Sequence, residues 1–267
     1  MPLRLSPTFR ERLADSDRAL VGMWACTGSP LVTEIAAGSG LDWLLIDGEH
    51  SANTLETLQV QLQVAAAYPI APLVRVPWND AVLIKQVLDL GAQNLIVPMI
   101  SSAEEARAAV AATRYPPAGI RGVGSALARS ARWNRVERYL VEAGEHVSLT
   151  VQIETAAGVA AAAEIAAVDG VDAVFVGPSD LAASMGLLGQ QTHPDVVSAV
   201  EHVFAAVKAV GKPVGVNAFD PAAADAYIAA GASFVAVGAD VALLARASEA
   251  LAARFLPAPS SEPAASY

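Results

Sequence analysis

Eight short runs rich in β-branched and apolar residues recur along this 267-residue chain, and each is followed by a segment with helical spacing. The runs are approximately Leu20–Trp24, Trp43–Ile46, Ala71–Val76, Asn94–Pro98, Leu149–Ile153, Ala173–Val176, Pro213–Val216 and Phe234–Val237. Several are apolar without interruption, as strands are when helices cover both faces of a parallel sheet. The intervening segments read as helices over Pro30–Ala37, Thr54–Ala67, Ala81–Leu90, Ala103–Thr113, Ala156–Ala167, Pro194–Val210, Ala222–Ala230 and Ala239–Phe255. Eight β-α units in succession predict a TIM (β/α)8 barrel. A doubly wound open sheet is the alternative, but it uses fewer strands and carries a Gly-rich turn after the first, which this chain lacks. The joints AAGSGLDWLLID, DLGAQNLIVP, AVDGVDAVFVG and AAGASFVAVG each end a helix on Gly and enter a buried strand, four versions of one connection.

The length suits one barrel domain over residues 1–256, followed by a tail, residues 257–267, whose composition (PAPSSEPAASY) predicts disorder. With 54% hydrophobic residues the core is ample, and a net charge of −10 would repel a polyanion, which argues against a nucleic-acid partner. The opening MPLRLSPTFRERLADSDRAL breaks every apolar run with charge, so no signal peptide is expected. No apolar run reaches the roughly 18 residues of a membrane span. The single cysteine, Cys26, cannot form an internal disulfide and reads as a small buried filler, which fits a reducing, cytoplasmic setting.

One connection breaks the rhythm. About 30 residues from Arg114 to Val147, including RYPPAGIRGVGSALARSARWN and a helical patch around Val136–Ala143, separate the fourth run from the fifth. An excursion of that length is expected on the catalytic rim, as a lid or a subunit contact. Its Gly122-Val123-Gly124-Ser125 turn has the composition of a phosphate cradle but lacks the preceding strand.

The chemistry gathers where runs end. Glu154 directly follows the fifth run, and Asp180 follows the sixth after Gly177-Pro178-Ser179. Right-handed crossovers make those strands parallel neighbours, so both acids emerge on one rim, where a hard divalent cation fits between them. An acid at such a place can also be only the N-cap of the next helix. Gln152, two residues before Glu154, points inward on a period of two, which is a poor way to fill a core. Asp47-Gly48-Glu49-His50 follows WLLI and places a histidine where proton transfer occurs in barrels, or one merely satisfied in a turn. Arg75 in PLVRVPW is costly to bury unless it meets an anion, so it reads as a clamp for an enolate or carboxylate.

As a set, LLIDGEHS, PLVRVP, VLDLGAQNLIVPMI, RGVGSALARSARW, QIET and GPSDLAASMG closely resemble the 4-hydroxy-2-oxo-heptanedioate aldolase family, the metal-dependent class II pyruvate aldolases of the HpcH/HpaI and citrate lyase superfamily. The resemblance covers approximately residues 18–255. It implies a TIM barrel assembled as a homohexamer, a dimer of trimers, with a C-terminal helix exchanged between subunits and a Mg2+, Mn2+ or Co2+ ion in each site. By the same resemblance Glu154 and Asp180 hold the metal, His50 is the acid/base residue, and Asp89 raises its basicity. Arg75 stabilises the enolate, and Gln152 contacts substrate. The Gly177-Pro178-Ser179 turn meets the oxo-acid carboxylate, and Asp47 stands in support behind these groups.

The reaction implied is reversible aldol cleavage of a 4-hydroxy-2-oxo acid to pyruvate, or a substituted relative such as hydroxypyruvate, and an aldehyde, in the catabolism of aromatic or sugar acids. A Schiff-base route lacks its nucleophile. Of the three lysines, Lys85 and Lys208 fall in helices and Lys212 precedes a strand, on the far rim. The alternative is an acyl-CoA lyase of the citrate lyase β-subunit or malyl-CoA lyase type, which should carry a basic surface for nucleotide phosphates. A barrel kept only for assembly would not explain why His50, Arg75, Glu154 and Asp180 all fall at strand ends.

Overall fold

The computed structural model describes residues 3–256. Before the first strand comes α1 (Phe9–Ala14). The units then run β1 (Leu20–Ala25) with α2 (Pro30–Ala37), β2 (Trp43–Asp47) with α3 (Leu55–Ala65), β3 (Ala71–Arg75) with α4 (Ala81–Asp89), and β4 (Asn94–Val97) with α5 (Ala103–Thr113). After the long connection and its short α6 (Tyr139–Glu142) come β5 (Ser148–Ile153) with α7 (Ala156–Ala160) and α8 (Ala162–Ala166), then β6 (Ala173–Val176) with α9 (Pro178–Ser184) and α10 (Pro194–Ala209). Last are β7 (Val214–Asn217) with α11 (Pro221–Ala229) and β8 (Phe234–Ala239) with α12 (Asp240–Phe255). All eight strands are parallel, and β8 pairs with β1 to close the barrel. The expected (β/α)8 barrel is the one observed, with each strand within a residue or two of its run.

Period-two alternation sorts the side chains. Outward residues such as Leu44, Ile46, Val74, Leu95 and Val151 pack under the helices. Inward residues fill the barrel with an aromatic plug in which Phe175 and Phe234 stack and Trp43 meets both edge to face, with ring centroids 5.8–6.3 Å apart. Gly22 makes room for it: a Cβ there would lie 2.2 Å from Trp43 Cδ2. The same alternation carries polar residues inward near the carboxyl ends. On β2 the inward series is Trp43, Leu45, Asp47, and on β3 it is Ala71, Leu73, Arg75; the register pairs Asp47 with Arg75.

Three elements differ from expectation. No element was expected before Leu20, yet α1 forms there through a capping box: Thr8 Oγ1 accepts from Glu11 N and Glu11 Oε2 accepts from Thr8 N. Its Phe9 is fully buried against Trp43 and Phe234 and stoppers the amino-terminal end. The single helix expected over Ala156–Ala167 is broken at Ala161, whose ψ of 9° leaves the helical region. The long connection is the third, and it lies on the other rim. It leaves the carboxyl end of α5 and enters the amino end of β5, so it returns beneath the barrel, away from the carboxyl ends of the strands. Its Gly122–Ser125 turn has neither strand before it nor helix after it.

Only Asp240 of α12 is buried, and Leu243, Leu244, Leu251 and Phe255 stand open. The tail after Leu256 lies outside the described residues. Among the described residues no helix is long and apolar enough to cross a membrane.

Candidate active site

At the carboxyl rim the strands open on a hollow of about 250 Å3. Asp47, His50, Arg75, Gln152, Gly177, Pro178, Ser179 and Asp180 line it, together with Trp24, Cys26 and Asn217. Glu154 sits at its edge, two residues past Gln152, with Oε2 only 2.6 Å from where a Cβ on Gly177 would be. Every residue singled out from the sequence thus reaches this rim except Asp89. That residue ends α4, just ahead of β4, and so lies under the barrel, where its Oδ1 is 2.9 Å from Arg121 Nη2. Within one chain Asp89 does not meet His50.

Arg75 is the most constrained group. Its Nε and Nη2 donate to the two oxygens of Asp47, each at 2.8 Å, and its Nη1 lies 2.9 Å from Glu49 Oε2. The guanidinium lies 4.3 Å above the Trp24 ring. Burial works against its charge, but the fork on Asp47 and then Glu49 outweigh burial and hold its pKa above the ordinary value. Asp47 does a second job. Its oxygens also accept from the backbone N–H of Glu49 at 3.0 Å and of His50 at 3.2 Å, so one carboxylate fixes both the arginine and the loop carrying the histidine. His50 itself is largely exposed, with Nε2 3.8 Å from Glu49 Oε1.

Glu154 accepts from Met99 N at 2.7 Å and from Gln152 Nε2. It caps no helix, because Thr155 is the N-cap of α7. Burial first, and then the neighbouring Asp180 and Glu49 against the relief of the Met99 bond, push its carboxyl up to about 7. Such a carboxylate is short of positive charge. Asp180 stands exposed in the first turn of α9, across the rim from it. Two acids of this kind suit a hard divalent cation whose remaining ligands are water or substrate oxygens. Among the described residues no third His, Cys, Asp or Glu joins them in a metal-holding group.

Three lining residues were missed or misread in the sequence. Asn217 ends β7, one residue beyond the expected run, and its Oδ1 accepts from Trp24 Nε1 at 2.8 Å. Indole N–H only donates, so this bond fixes the amide and turns Nδ2 away from Trp24. Phe219 stands half-exposed beside it, and a further hollow of about 180 Å3 continues past Ser179 and Phe219 to Tyr227. Cys26 is no core filler but a wall of the site, with Sγ 4.0 Å from Asp47 Oδ2. Burial, then Asp47 and Asp240, push its thiol up to about 12, so it stays protonated and unreactive. None of the three lysines lines the hollow, and Lys212 Nζ donates to Val171 O beneath the barrel.

A family pattern described as HpcH/HpaI aldolase/citrate lyase matches residues 20–247. The chain belongs to that family. It is 54% identical over 247 residues to the 4-hydroxy-2-oxo-heptane-1,7-dioate aldolase of Salmonella arizonae, covering 92% of this chain and 94% of that one. Among solved structures, an HpcH/HpaI aldolase/citrate lyase family protein from Burkholderia cenocepacia J2315 superposes with a TM-score of 0.87 at 43% identity, over 91% of this chain and 96% of that one. An HpcH/HpaI aldolase from Desulfitobacterium hafniense DCB-2 gives 0.84 at 30% identity, over 94% and 98%. The HpcH/HpaI membership makes the chain an enzyme of carbon–carbon bond chemistry on a TIM barrel.

Proposed function

We propose that the chain is a class II aldolase that reversibly cleaves 4-hydroxy-2-oxo acids to pyruvate, or a substituted pyruvate such as hydroxypyruvate, and an aldehyde, with a divalent cation held by Glu154 and Asp180. One observation carries the reading: an arginine locked between two acids and an indole faces the same hollow as His50, Gln152 and Asp180. The name of the Salmonella relatives supports a 4-hydroxy-2-oxo acid as substrate. Arg75 is the one Lys or Arg among the described lining residues, which leaves the acyl-CoA alternative without a phosphate grip.

When bound, the cation polarises the 2-oxo group and offsets the charge of the enolate. The chain's residues do the remainder. In cleavage His50 takes the proton of the C4 hydroxyl, the C3–C4 bond breaks, its electron pair passes into the 2-oxo group, and the aldehyde departs. Arg75, already held in place, donates to the enolate oxygen as charge develops there. Return of a proton to C3 completes pyruvate. Gln152 Oε1 is buried with no partner, and a substrate hydroxyl gives it one. Ser179 stands at the rim, where the oxo-acid carboxylate docks.

The hexamer and the exchange of α12 belong to the same proposal. The uncovered Leu243, Leu244 and Leu251 call for a neighbour, and Asp89 can raise the basicity of a His50 only in another copy of the chain.

Chelation tests the whole reading. EDTA should stop pyruvate release from a 4-hydroxy-2-oxo acid, and Mg2+, Mn2+ or Co2+ should restore it with no acyl-CoA present. Turnover that survives rigorous chelation would refute it. A narrower test concerns the clamp: Arg75→Lys should lower kcat about 100-fold or more while changing KM for the oxo acid far less, because a point ammonium cannot reproduce the planar fork. An unchanged kcat would leave Arg75 a structural role alone.

A further inference from the structure

Beneath the barrel, on the rim opposite the active site, three arginines face one small hollow. Arg12 comes from α1, Arg129 and Arg132 from the long connection; with Ser6, Gln93 and Asn94 they line a cavity of about 40 Å3. The guanidinium groups of Arg129 and Arg132 converge over Gly91, with Nη1 atoms 2.6 and 3.0 Å from where a Cβ on that residue would sit, so a larger residue would displace them. All three are half-buried.

Their protein partners are neutral. Arg12 Nη1 donates to Pro69 O at 2.7 Å, Arg129 Nη1 to Leu90 O at 3.1 Å, and Arg132 Nη1 to Arg129 O at 2.5 Å. Among the described residues none of the three has a carboxylate within ion-pair range, although the chain carries a net charge of −10 and Arg18, Arg75, Arg121 and Arg10 find acids at Asp42, Asp47, Asp89 and Asp172. Arg12 Nε is buried with no hydrogen-bond partner at all. Each guanidinium has about five N–H donors, most of them unused here. Like charges drawn together and partly desolvated are costly unless an anion completes them. Burial, and then Arg132 beside it, pushes Arg129 down to about 10.

We propose that this hollow binds a small oxyanion, with inorganic phosphate as the reference ligand, and that the anion ties α1 and the long connection to the underside of the barrel. Three forks arriving from two segments suit an ion with several acceptor oxygens better than a spherical halide. The hollow is sized for one phosphate or sulfate, not for a larger metabolite buried whole. Asn94 is held in place at the wall, its Oδ1 accepting from Phe9 N and one hydrogen of its Nδ2 donated to Pro72 O.

Thermal unfolding of the full chain tests this, at constant ionic strength and with EDTA present so that no metal phosphate forms at the catalytic rim. About 20 mM phosphate should raise the wild-type Tm by roughly 3–5 °C over the chloride control. Arg75→Lys should keep that shift, and the Arg129→Gln/Arg132→Gln double variant, folded by circular dichroism, should lose it. If the double variant does not fold, Arg12→Gln serves instead and should at least halve the shift. No response in the wild type, an undiminished response in the underside variants, or loss of the response with Arg75→Lys would each overturn the site.

Discussion

Glu154→Gln should lower aldol cleavage by roughly a thousandfold or more and leave the barrel folded. Two carboxylates are all that the described residues offer a cation, and the amide removes the charge of the buried one. Stability moves the other way. A carboxyl that titrates near 7 in the fold, against the usual 4.5, holds its proton more tightly when folded. It therefore subtracts stability as pH rises from the lower value through the higher one, and the penalty is complete above pH 7. The neutral amide carries none of it, so at pH 8 under EDTA the variant should melt at or above the wild-type temperature. Calorimetry with Mn2+ should find no binding. Turnover near the wild-type level, or a melt many degrees lower, would show that Glu154 serves the fold rather than the metal.

His50→Ala should reduce cleavage by about 10² to 10⁴, the range of a lost general base, with metal affinity unchanged. The histidine stands exposed at the mouth of the hollow and takes no part in the core, so the Tm should not move. Exchange of the pyruvate methyl protons with deuterated water separates its two possible duties. If His50 also handles the C3 proton, exchange falls in step with cleavage, which is the outcome expected. Exchange that survives would assign the C3 proton to another base, and wild-type rates of both would remove His50 from the mechanism.

The barrel was legible because each β-α unit repeats one physical pattern, a buried run followed by a helix, with four of the helices ending on Gly, and repetition makes single errors harmless. The rim residues were legible for a related reason. Asp47, Arg75 and Gln152 are polar groups on strand positions whose parity points inward, a placement that packing alone disfavours. The errors arose where tertiary contacts decide. The long connection was put on the catalytic rim for its length, although a segment running from a helix into a strand must return to the amino-terminal rim. Asp89, at the end of α4, follows the same rule and finds Arg121 there. α1 had a readable signal in Thr8 and Glu11, but its worth comes from Phe9 filling the barrel floor. Cys26 and Asn217 took their place in the site from a bend after β1 and one extra residue on β7.

The stacking of Arg75 on Trp24 has an optical consequence. Of the four tryptophans, Trp43 is sealed inside the barrel, Trp78 and Trp133 lie at the surface, and Trp24 alone borders the hollow. Its indole is pinned between a guanidinium 4.3 Å above the ring and the Asn217 amide at 2.8 Å. Any anion that draws charge from Arg75, or any cation that settles beyond it, changes the electric field across that ring and hence its emission. The enzyme thus carries a built-in gauge of occupancy, readable without turnover, and Trp24→Phe identifies which part of the fluorescence belongs to it.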